Sequence, residues 1–144
     1  MLIIECSKIK KFYGDRLILD IDNLNIYSED RIGVVGINGA GKTTLINILS
    51  QRIDPDEGWV RITGKTEYIS QLGEPGIYEI GSEMASKFGV ETLWNDNMSG
   101  GEKTRFKLAK ALESESMLIF ADEPTSNMDI DGIELMEKKL MEYN

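Results

Sequence analysis

An unbroken phosphate-loop pattern is the strongest chemical signal in the sequence. The pattern G-x-x-x-x-G-K-[ST] is matched at every position, by Gly36, Ile37, Asn38, Gly39, Ala40, Gly41, Lys42 and Thr43. Glycines let a loop wrap without Cβ clashes, so that successive backbone N–H groups can point inward at an anion. Lys42 is placed to reach the β- and γ-phosphates of a nucleotide, and the Thr43 hydroxyl is placed to ligate Mg²⁺. The alternative is a glycine-rich turn that binds nothing.

The sequence on either side of this loop favours the phosphate site over the plain turn. The apolar, β-branched run Ile32–Ile37 predicts a buried strand that feeds the loop. Apolar residues then recur at helical spacing and predict a helix from about Lys42 to Gln51, which would put its positive dipole end beneath the phosphates. Thr44, in the first turn of that helix, is expected among the nucleotide-binding residues.

The acidic pair Asp122 and Glu123 is a second candidate site. It follows the apolar run Leu118–Ala121, which predicts a short buried strand, and ligands bind at the carboxyl ends of strands in open α/β sheets. There Asp122 could hold Mg²⁺, usually through bound water, and Glu123 could polarise an attacking water. The pair could instead be a charge pair at a helix N-terminus, but the phosphate loop upstream favours the metal site.

Two further polar motifs are weaker when each is taken alone. Ser99, Gly100 and Gly101 open a predicted helix, where bare N–H groups and the helix dipole could bind an anion, although helix capping by Ser99 would also explain the motif. Gln71 closes the short predicted strand Thr66–Ile69, and an isolated glutamine is most often a surface residue. Neither motif identifies a function by itself.

Length and composition predict a soluble globular protein of about one domain. The 144 residues are 41% apolar and 28% charged, which is ordinary for such a domain. The net charge of −9 argues against nonspecific nucleic-acid binding, because phosphate backbones require a basic surface. The single cysteine, Cys6, excludes a disulfide within the chain and fits a reducing compartment.

The sequence pattern predicts neither a signal peptide nor a membrane-spanning segment. Its N-terminus lacks the basic start and the apolar run of a signal peptide, and no apolar run approaches the ~18 residues that cross a bilayer. We therefore expect a cytoplasmic protein without direct membrane insertion.

Strand and helix patterns alternate along the chain and predict an α/β layered fold with a mainly parallel sheet. Early strands at Leu2–Ile9 and Leu17–Ile26 predict an additional antiparallel layer, and short strands flank a turn at residues 64–65. Apolar residues between Ile77 and Phe88 predict a helix ended by Gly89. The predicted division is a β subdomain with the phosphate loop (1–70), a short helical insertion (71–100) and a C-terminal part (101–144) with two helices around the acidic strand.

Taken together and in order, these motifs resemble the nucleotide-binding domain of ATP-binding-cassette proteins. The set consists of the phosphate loop, Gln71, the segment Met98–Glu102, the acidic pair and the segment Ser126–Asp129. The resemblance implies a phosphate-loop NTPase with a three-layer fold. It also implies ATP and Mg²⁺ as ligands, and ATP hydrolysis in the complete protein.

The resemblance implies a role for individual residues. Tyr13 corresponds to the aromatic residue that stacks on adenine, with Phe12 as an alternative. Gln71 corresponds to the glutamine that contacts Mg²⁺ and the attacking water, and Glu123 to the catalytic base. Residues 99–102 correspond to the signature, which contacts ATP held by an opposing domain. Asp129 lies in the loop that communicates across the dimer.

The acidic pair and the residues that follow it, 122–129, further resemble the soluble F-type subfamily, particularly members that act on ribosomes in antibiotic resistance. The short segment between Gln71 and Ser99 agrees with this, because transporter ATPases generally carry a longer helical insertion. The alternatives are an ATPase subunit of a membrane transporter and an ATP-binding fragment without turnover. The expected partners are ATP, a second cassette or second copy, and the ribosome.

One departure from the family concerns the C-terminal part. The family places a histidine and at least one further core strand after the aspartate loop, whereas this sequence has no histidine and stops at Asn144. The resemblance therefore predicts a truncated cassette, the first of two in an F-type protein, with a sheet that is incomplete at its C-terminus.

Overall fold

Two compact units make up the chain. The computed structural model describes residues 1–69, 78–126 and 128–142. The first unit is Met1–Thr66 and the second is Glu67–Asn144. In chain order the elements are β1 (Leu2–Tyr13), β2 (Arg16–Tyr27), α1 (Lys42–Leu49), β3 (Glu57–Ile62), β4 (Thr66–Ile69), α2 (Ser82–Phe88), α3 (Gly100–Glu113), β5 (Leu118–Ala121) and α4 (Ile130–Glu142). A separate helical insertion at 71–100 stays a prediction.

An antiparallel sheet with the strand order β2-β1-β3 forms the scaffold of the first unit. Ile4 in the central strand lies opposite Ile26 of β2 and Ile62 of β3. Ile4 and Cys6 are almost fully buried, because alternate residues of a strand point to the same face. The pairing confirms the predicted antiparallel layer, and it extends the first strand as far as Tyr13.

The strand predicted at Ile32–Ile37 is not formed, so this prediction is wrong. Residues 31–37 have no regular secondary structure, and Val35 is 93% exposed. A buried strand requires neighbours that satisfy its backbone N–H and C=O groups, and apolar character alone does not supply them. Gly33 and Gly36 lower the strand propensity of the run further. The phosphate loop is therefore entered from an irregular segment.

The second unit combines a two-stranded sheet of β4 and β5 with helices α2, α3 and α4. β3 and β4, which flank Gly64, thus belong to different sheets rather than to one hairpin. The core of this unit is an apolar cluster whose buried members are Ile69, Ile80, Ala85, Phe88, Phe106, Leu108, Ala109, Ala111 and Met136. Phe106 of α3 also packs edge to face on Trp94, with ring centroids 5.5 Å apart.

Helix α3 anchors the segment that precedes it. The Lys110 ammonium lies 3.5 Å from the centroid of the Tyr78 ring, and the Glu113 carboxylate accepts a 2.7 Å hydrogen bond from the Gly81 N–H. Helix α2 begins at Ser82, later than its apolar periodicity suggests, and ends as predicted at Gly89, which has a φ of 61°. Ile77, the first residue of that periodicity, lies outside the described residues.

None of the helices in residues 1–69, 78–126 and 128–142 has the length and apolar character needed to cross a membrane.

Candidate functional site

The phosphate loop turns through two left-handed glycines. Gly39 has a φ of 79°, and Gly41, which immediately precedes helix α1, has a φ of 95°. Between them Ala40 donates a 3.2 Å hydrogen bond to the Ile37 carbonyl, and Leu45 donates to Gly41 to start the helix. Left-handed backbone is disfavoured for residues with a Cβ, so the two glycines permit this path. The loop thus delivers the chain into the N-terminus of α1, the part of a helix that attracts anions.

The Lys42 ammonium lies against this loop. Its Nζ donates hydrogen bonds to the Gly36 carbonyl at 2.8 Å and to the Ile37 carbonyl at 3.0 Å. An ammonium has three donors, so these two bonds leave one for another acceptor. The two bonds keep a positive charge at the loop. The loop also has open space at Gly39, because no heavy atom lies within 4 Å of the position that a Cβ would take. The residues present therefore fit a polyphosphate ligand.

Strand β2 supports the loop at Gly41. A Cβ built on Gly41 would stand 2.8 Å from Ile18 Cγ2 and 3.2 Å from Leu19 Cδ2. The sequence pattern did not identify Ile18 and Leu19 as part of the site. Their contact shows that Gly41 is required for packing as well as for its backbone conformation.

Gly41→Ala is expected to lower the free energy of unfolding by about 2–5 kcal/mol, because a left-handed alanine costs about 1–2 kcal/mol and an overpacked contact costs about 1–3 kcal/mol. Gly39→Ala is the matched control, since it has a similar positive φ but open space around its Cβ. It should lose only the conformational part, about 1–2 kcal/mol. Urea denaturation of both variants measures the difference, and equal losses would contradict the packing role.

Tyr13, the predicted adenine-stacking residue, stands at the end of β1 beside helix α1. Its hydroxyl lies 3.5 Å from Oγ1 of Thr44, which is buried, and Tyr13 itself is 56% exposed. Asp56 fixes the end of β1, because its carboxylate accepts bonds from the Phe12 N–H at 2.7 Å and from Lys11 Nζ at 3.0 Å. These two bonds, the backbone one first, lower the pKa of the Asp56 carboxyl. Tyr13, which is more than half exposed, is thus held next to the start of α1.

The signature residues open helix α3 through a complete capping box. The Glu102 N–H donates to Ser99 Oγ at 3.2 Å, and the Ser99 N–H donates to Glu102 Oε2 at 2.7 Å. The bonds from the Ser99 backbone and hydroxyl, and secondarily the charge of Arg105, lower the pKa of the Glu102 carboxyl. A lowered folded-state pKa stabilises the fold above pH about 4.3, the ordinary value, and this contribution is lost as the pH falls through the lowered pKa.

Ser99→Ala is expected to lower the free energy of unfolding by about 1 kcal/mol, because it removes the cap of helix α3. Ser99→Asp restores an N-cap acceptor and is the matched control. Thermal unfolding of both variants at pH 7 is the measurement. A loss in Ser99→Ala that Ser99→Asp does not recover would show that the serine acts in some way other than capping.

The acidic pair follows strand β5 directly, as the sequence predicts. Asp122 is 9% exposed, and its N–H donates a 3.2 Å hydrogen bond to the carbonyl of Ile69 at the end of β4. Glu123 has a φ of 46°, an uncommon conformation for a residue with a side chain, which turns the chain sharply away from the strand. Within the described residues, no cluster of three His, Cys, Asp or Glu side chains could hold a metal ion.

The structure divides the predicted residues between the two units. The loop residues, Thr44 and Tyr13 belong to the first unit. The signature and the acidic pair belong to the second, and Gln71 lies outside the described residues. Reasoning from the sequence missed Arg105 and Gly132, which line one cleft with the signature and Asp129. The spacing of three between Glu102 and Arg105 on a helix was the available signal.

Comparisons with known proteins agree on one family. A family profile described as ABC transporter matches residues 19–85. The erythromycin resistance ATP-binding protein MsrA of Staphylococcus epidermidis is 33% identical over 97% of this chain. The energy-dependent translational throttle protein EttA of Escherichia coli K12 is 31% identical over 98% of it. The tungstate uptake system ATP-binding protein TupC of Peptoclostridium acidaminophilum is 32% identical, and the match covers 98% of this chain and 81% of TupC.

One similar solved structure is described as an inward-facing conformation of a metal-chelate type ABC transporter, and it superposes on this chain with a TM-score of 0.79. The match covers 99% of this chain and 68% of the other chain, with 21% sequence identity. This likeness confirms the predicted α/β phosphate-loop NTPase fold. The chain spans 29% of the length of MsrA and 30% of the length of EttA.

Proposed function

The chain belongs to the ABC transporter family as an ATP-binding cassette, and from this premise we propose that it hydrolyses ATP in a soluble, cytoplasmic F-type protein that acts on the ribosome. The observation that carries the proposal is the phosphate loop, where two left-handed glycines and the Lys42 ammonium meet at the start of helix α1. This geometry supports binding of a nucleotide through its phosphates, because main-chain N–H groups, a helix dipole and a fixed cation all favour a polyanion.

The proposed division of labour follows from donor chemistry. Residues 36–44 hold the phosphates, with Lys42 on the β- and γ-phosphates, and the exposed ring of Tyr13 stacks on the base. The Thr43 hydroxyl, Gln71 and the Asp122 carboxylate would hold Mg²⁺, and oxygen ligands of this kind suit that ion. When bound, Mg²⁺ neutralises charge on the phosphate oxygens.

Glu123 is the proposed general base. It orients the attacking water and accepts a proton from it as water attacks the γ-phosphorus and ADP leaves. Gln71 contacts the same water. Lys42 stabilises the negative charge that develops on the phosphate oxygens.

The signature supplies the reason for a second cassette. Ser99 caps α3 and leaves the main chain of Gly100 and Gly101 bare at the helix start, as a phosphate contact requires. We propose that this surface binds ATP held by the phosphate loop of a second copy or a second cassette. Two ATP molecules would then be sandwiched, and hydrolysis would release the clamp.

The ribosome is favoured as the partner by the relatives named for translation and antibiotic resistance, EttA and MsrA, whereas TupC, named for tungstate uptake, favours transport. Sedimentation tests the two directly. The chain carrying Glu123→Gln, which should retain ATP, is mixed with purified ribosomes or membrane vesicles, with and without MgATP. ATP-dependent recovery with ribosomes supports the F-type role, and recovery only with vesicles that contain a permease overturns it.

Hydrolysis itself is tested by phosphate release from ATP, with Lys42→Ala as the blank. The third candidate function, ATP binding without turnover, predicts nucleotide binding with a rate of phosphate release equal to that of the blank.

A further inference from the structure

A cleft of about 290 Å³ opens in the second unit where helices α3 and α4 begin. It is lined by Ser99, Gly100, Gly101, Arg105, Asp129 and Gly132. Three of these residues are glycines, so that much of the wall is bare main chain. The cleft thus brings one cation, from α3, and one carboxylate, from the residue before α4, to the same small space.

Arg105 is unusual in this cleft because part of its side chain is buried without a partner. Among the described residues, the Nε atom of Arg105 is buried and makes no hydrogen bond. Glu102, one turn earlier on α3, attracts Arg105 electrostatically, but its carboxylate already accepts the Ser99 N–H. Buried donors are normally paired, so this unpaired one is available for a new bond when the protein changes state.

Asp129 carries an acceptor that suits this donor. Its Oδ1 accepts a 2.8 Å hydrogen bond from the Gly132 N–H, and its carbonyl accepts one from Ile133, so that Asp129 caps α4. A Cβ on Gly132 would stand 2.9 Å from the same Oδ1, so the glycine keeps the carboxylate in place. The cap uses Oδ1, and Oδ2 is the oxygen that remains for a second donor.

We propose that Arg105 is a positioning residue of the ATP sandwich and that it acts through the carboxylate of Asp129. The inference rests on the proposed function, because the event that narrows the cleft is the closing of two cassettes on ATP. In the closed state the planar guanidinium donates to the carboxylate, which matches its fork geometry. The pair then ties the signature turn of α3 to the loop before α4.

The consequence is that both segments meet the opposing cassette as one preorganised surface. Ordering them in advance lowers the entropic cost of closing the dimer. ATP binding to the phosphate loop of a single cassette does not involve this pair. Loss of Arg105 should therefore weaken the ATP-dependent dimer while the affinity of the monomer for ATP stays unchanged.

A double-mutant cycle in the Glu123→Gln background tests the proposal with the full chain. Arg105→Met removes the charge and keeps most of the apolar stem, and Asp129→Asn removes the charge and keeps an N-cap for α4. Lys138→Met, at an exposed position of α4, is the charge-matched control. The dissociation constant of the dimer in MgATP is measured by analytical ultracentrifugation, with monomer ATP affinity and thermal unfolding as parallel readouts.

Each single variant is expected to weaken the dimer by about 10-fold, and the double variant by no more than Arg105→Met alone. Arg105→Lys should recover part of the loss, and the control should bind like the parent. Effects of the two single changes that multiply in the double variant would overturn the role of the pair. So would dimerisation that is equally strong without Arg105. A parent that binds ATP but never dimerises would overturn the sandwich itself, and this inference with it.

Discussion

Lys42→Ala is expected to lower the affinity for MgATP by about 30-fold or more. In the structure Lys42 Nζ spans the phosphate loop, bound to the Gly36 and Ile37 carbonyls at 2.8 and 3.0 Å. The β- and γ-phosphates would take this ammonium as a charge-assisted donor, and each such bond contributes about 1.5–3 kcal/mol. Nζ has one donor left and must give up a carbonyl bond to reach the second phosphate, so two charge-assisted bonds less about 1 kcal/mol leave about 2 kcal/mol or more, which corresponds to the expected factor.

Isothermal titration of ATP into wild type and variant measures this loss directly. Lys138→Ala, which removes one positive charge from an exposed position of α4, controls for the change in net charge and should leave the affinity unchanged. The circular dichroism spectrum of Lys42→Ala should match that of wild type, because Lys42 is the first residue of α1 and alanine is a good helix former. A dissociation constant within twofold of wild type would place the phosphates elsewhere.

Local chemistry explains why the phosphate loop could be predicted from the sequence. The loop needs glycines where the main chain turns left-handed, and a lysine just inside the helix. Both requirements are met within eight consecutive residues, 36–43. The same holds for the cap formed by Ser99 and Glu102, whose two reciprocal bonds join residues three positions apart. Features of this kind depend on the spacing of residues along the chain, which can be read directly from the sequence.

Features that depend on distant partners could not be predicted in this way. Residues 32–37 have the composition of a buried strand, but a strand forms only where other strands supply backbone partners. Ile18 and Leu19 of β2 pack against Gly41, and no local sequence pattern predicts this tertiary contact. Arg105 and Asp129 are far apart in sequence and share a cleft because helices α3 and α4 begin at the same place in the fold.

Backbone conformation at the acidic pair was likewise not predictable. Glu123 adopts a φ of 46°, although glutamate has none of the features that favour left-handed backbone. Strained conformations of this kind cost about 1–3 kcal/mol and concentrate at functional sites. Glu115, with a φ of 52°, has the same backbone conformation, so the conformation by itself assigns no role to Glu123 and the carboxylate must be tested directly.

Glu123→Gln is expected to slow ATP turnover by about 100-fold or more while ATP binding is retained. A positioned general base contributes about 10²–10⁴-fold to a rate, and glutamine keeps the shape of the side chain but cannot accept the proton. Because the two side chains are nearly isosteric, the left-handed backbone at position 123 is equally strained in both proteins. The variant thus isolates the chemistry of the carboxylate from its effect on the fold.

Glu115→Gln is the matched control for this experiment. Glu115 also has a left-handed backbone, with a φ of 52°, and lies in the loop before β5, so that the same chemical change is made in the same conformation. Phosphate release and ATP affinity are measured for both variants against wild type. Turnover should fall in Glu123→Gln alone, with the ATP dissociation constant unchanged in all three proteins. If both variants turn over like wild type, the base is another residue; if Glu123→Gln loses ATP affinity as well as turnover, its carboxylate acts in binding the nucleotide and its metal.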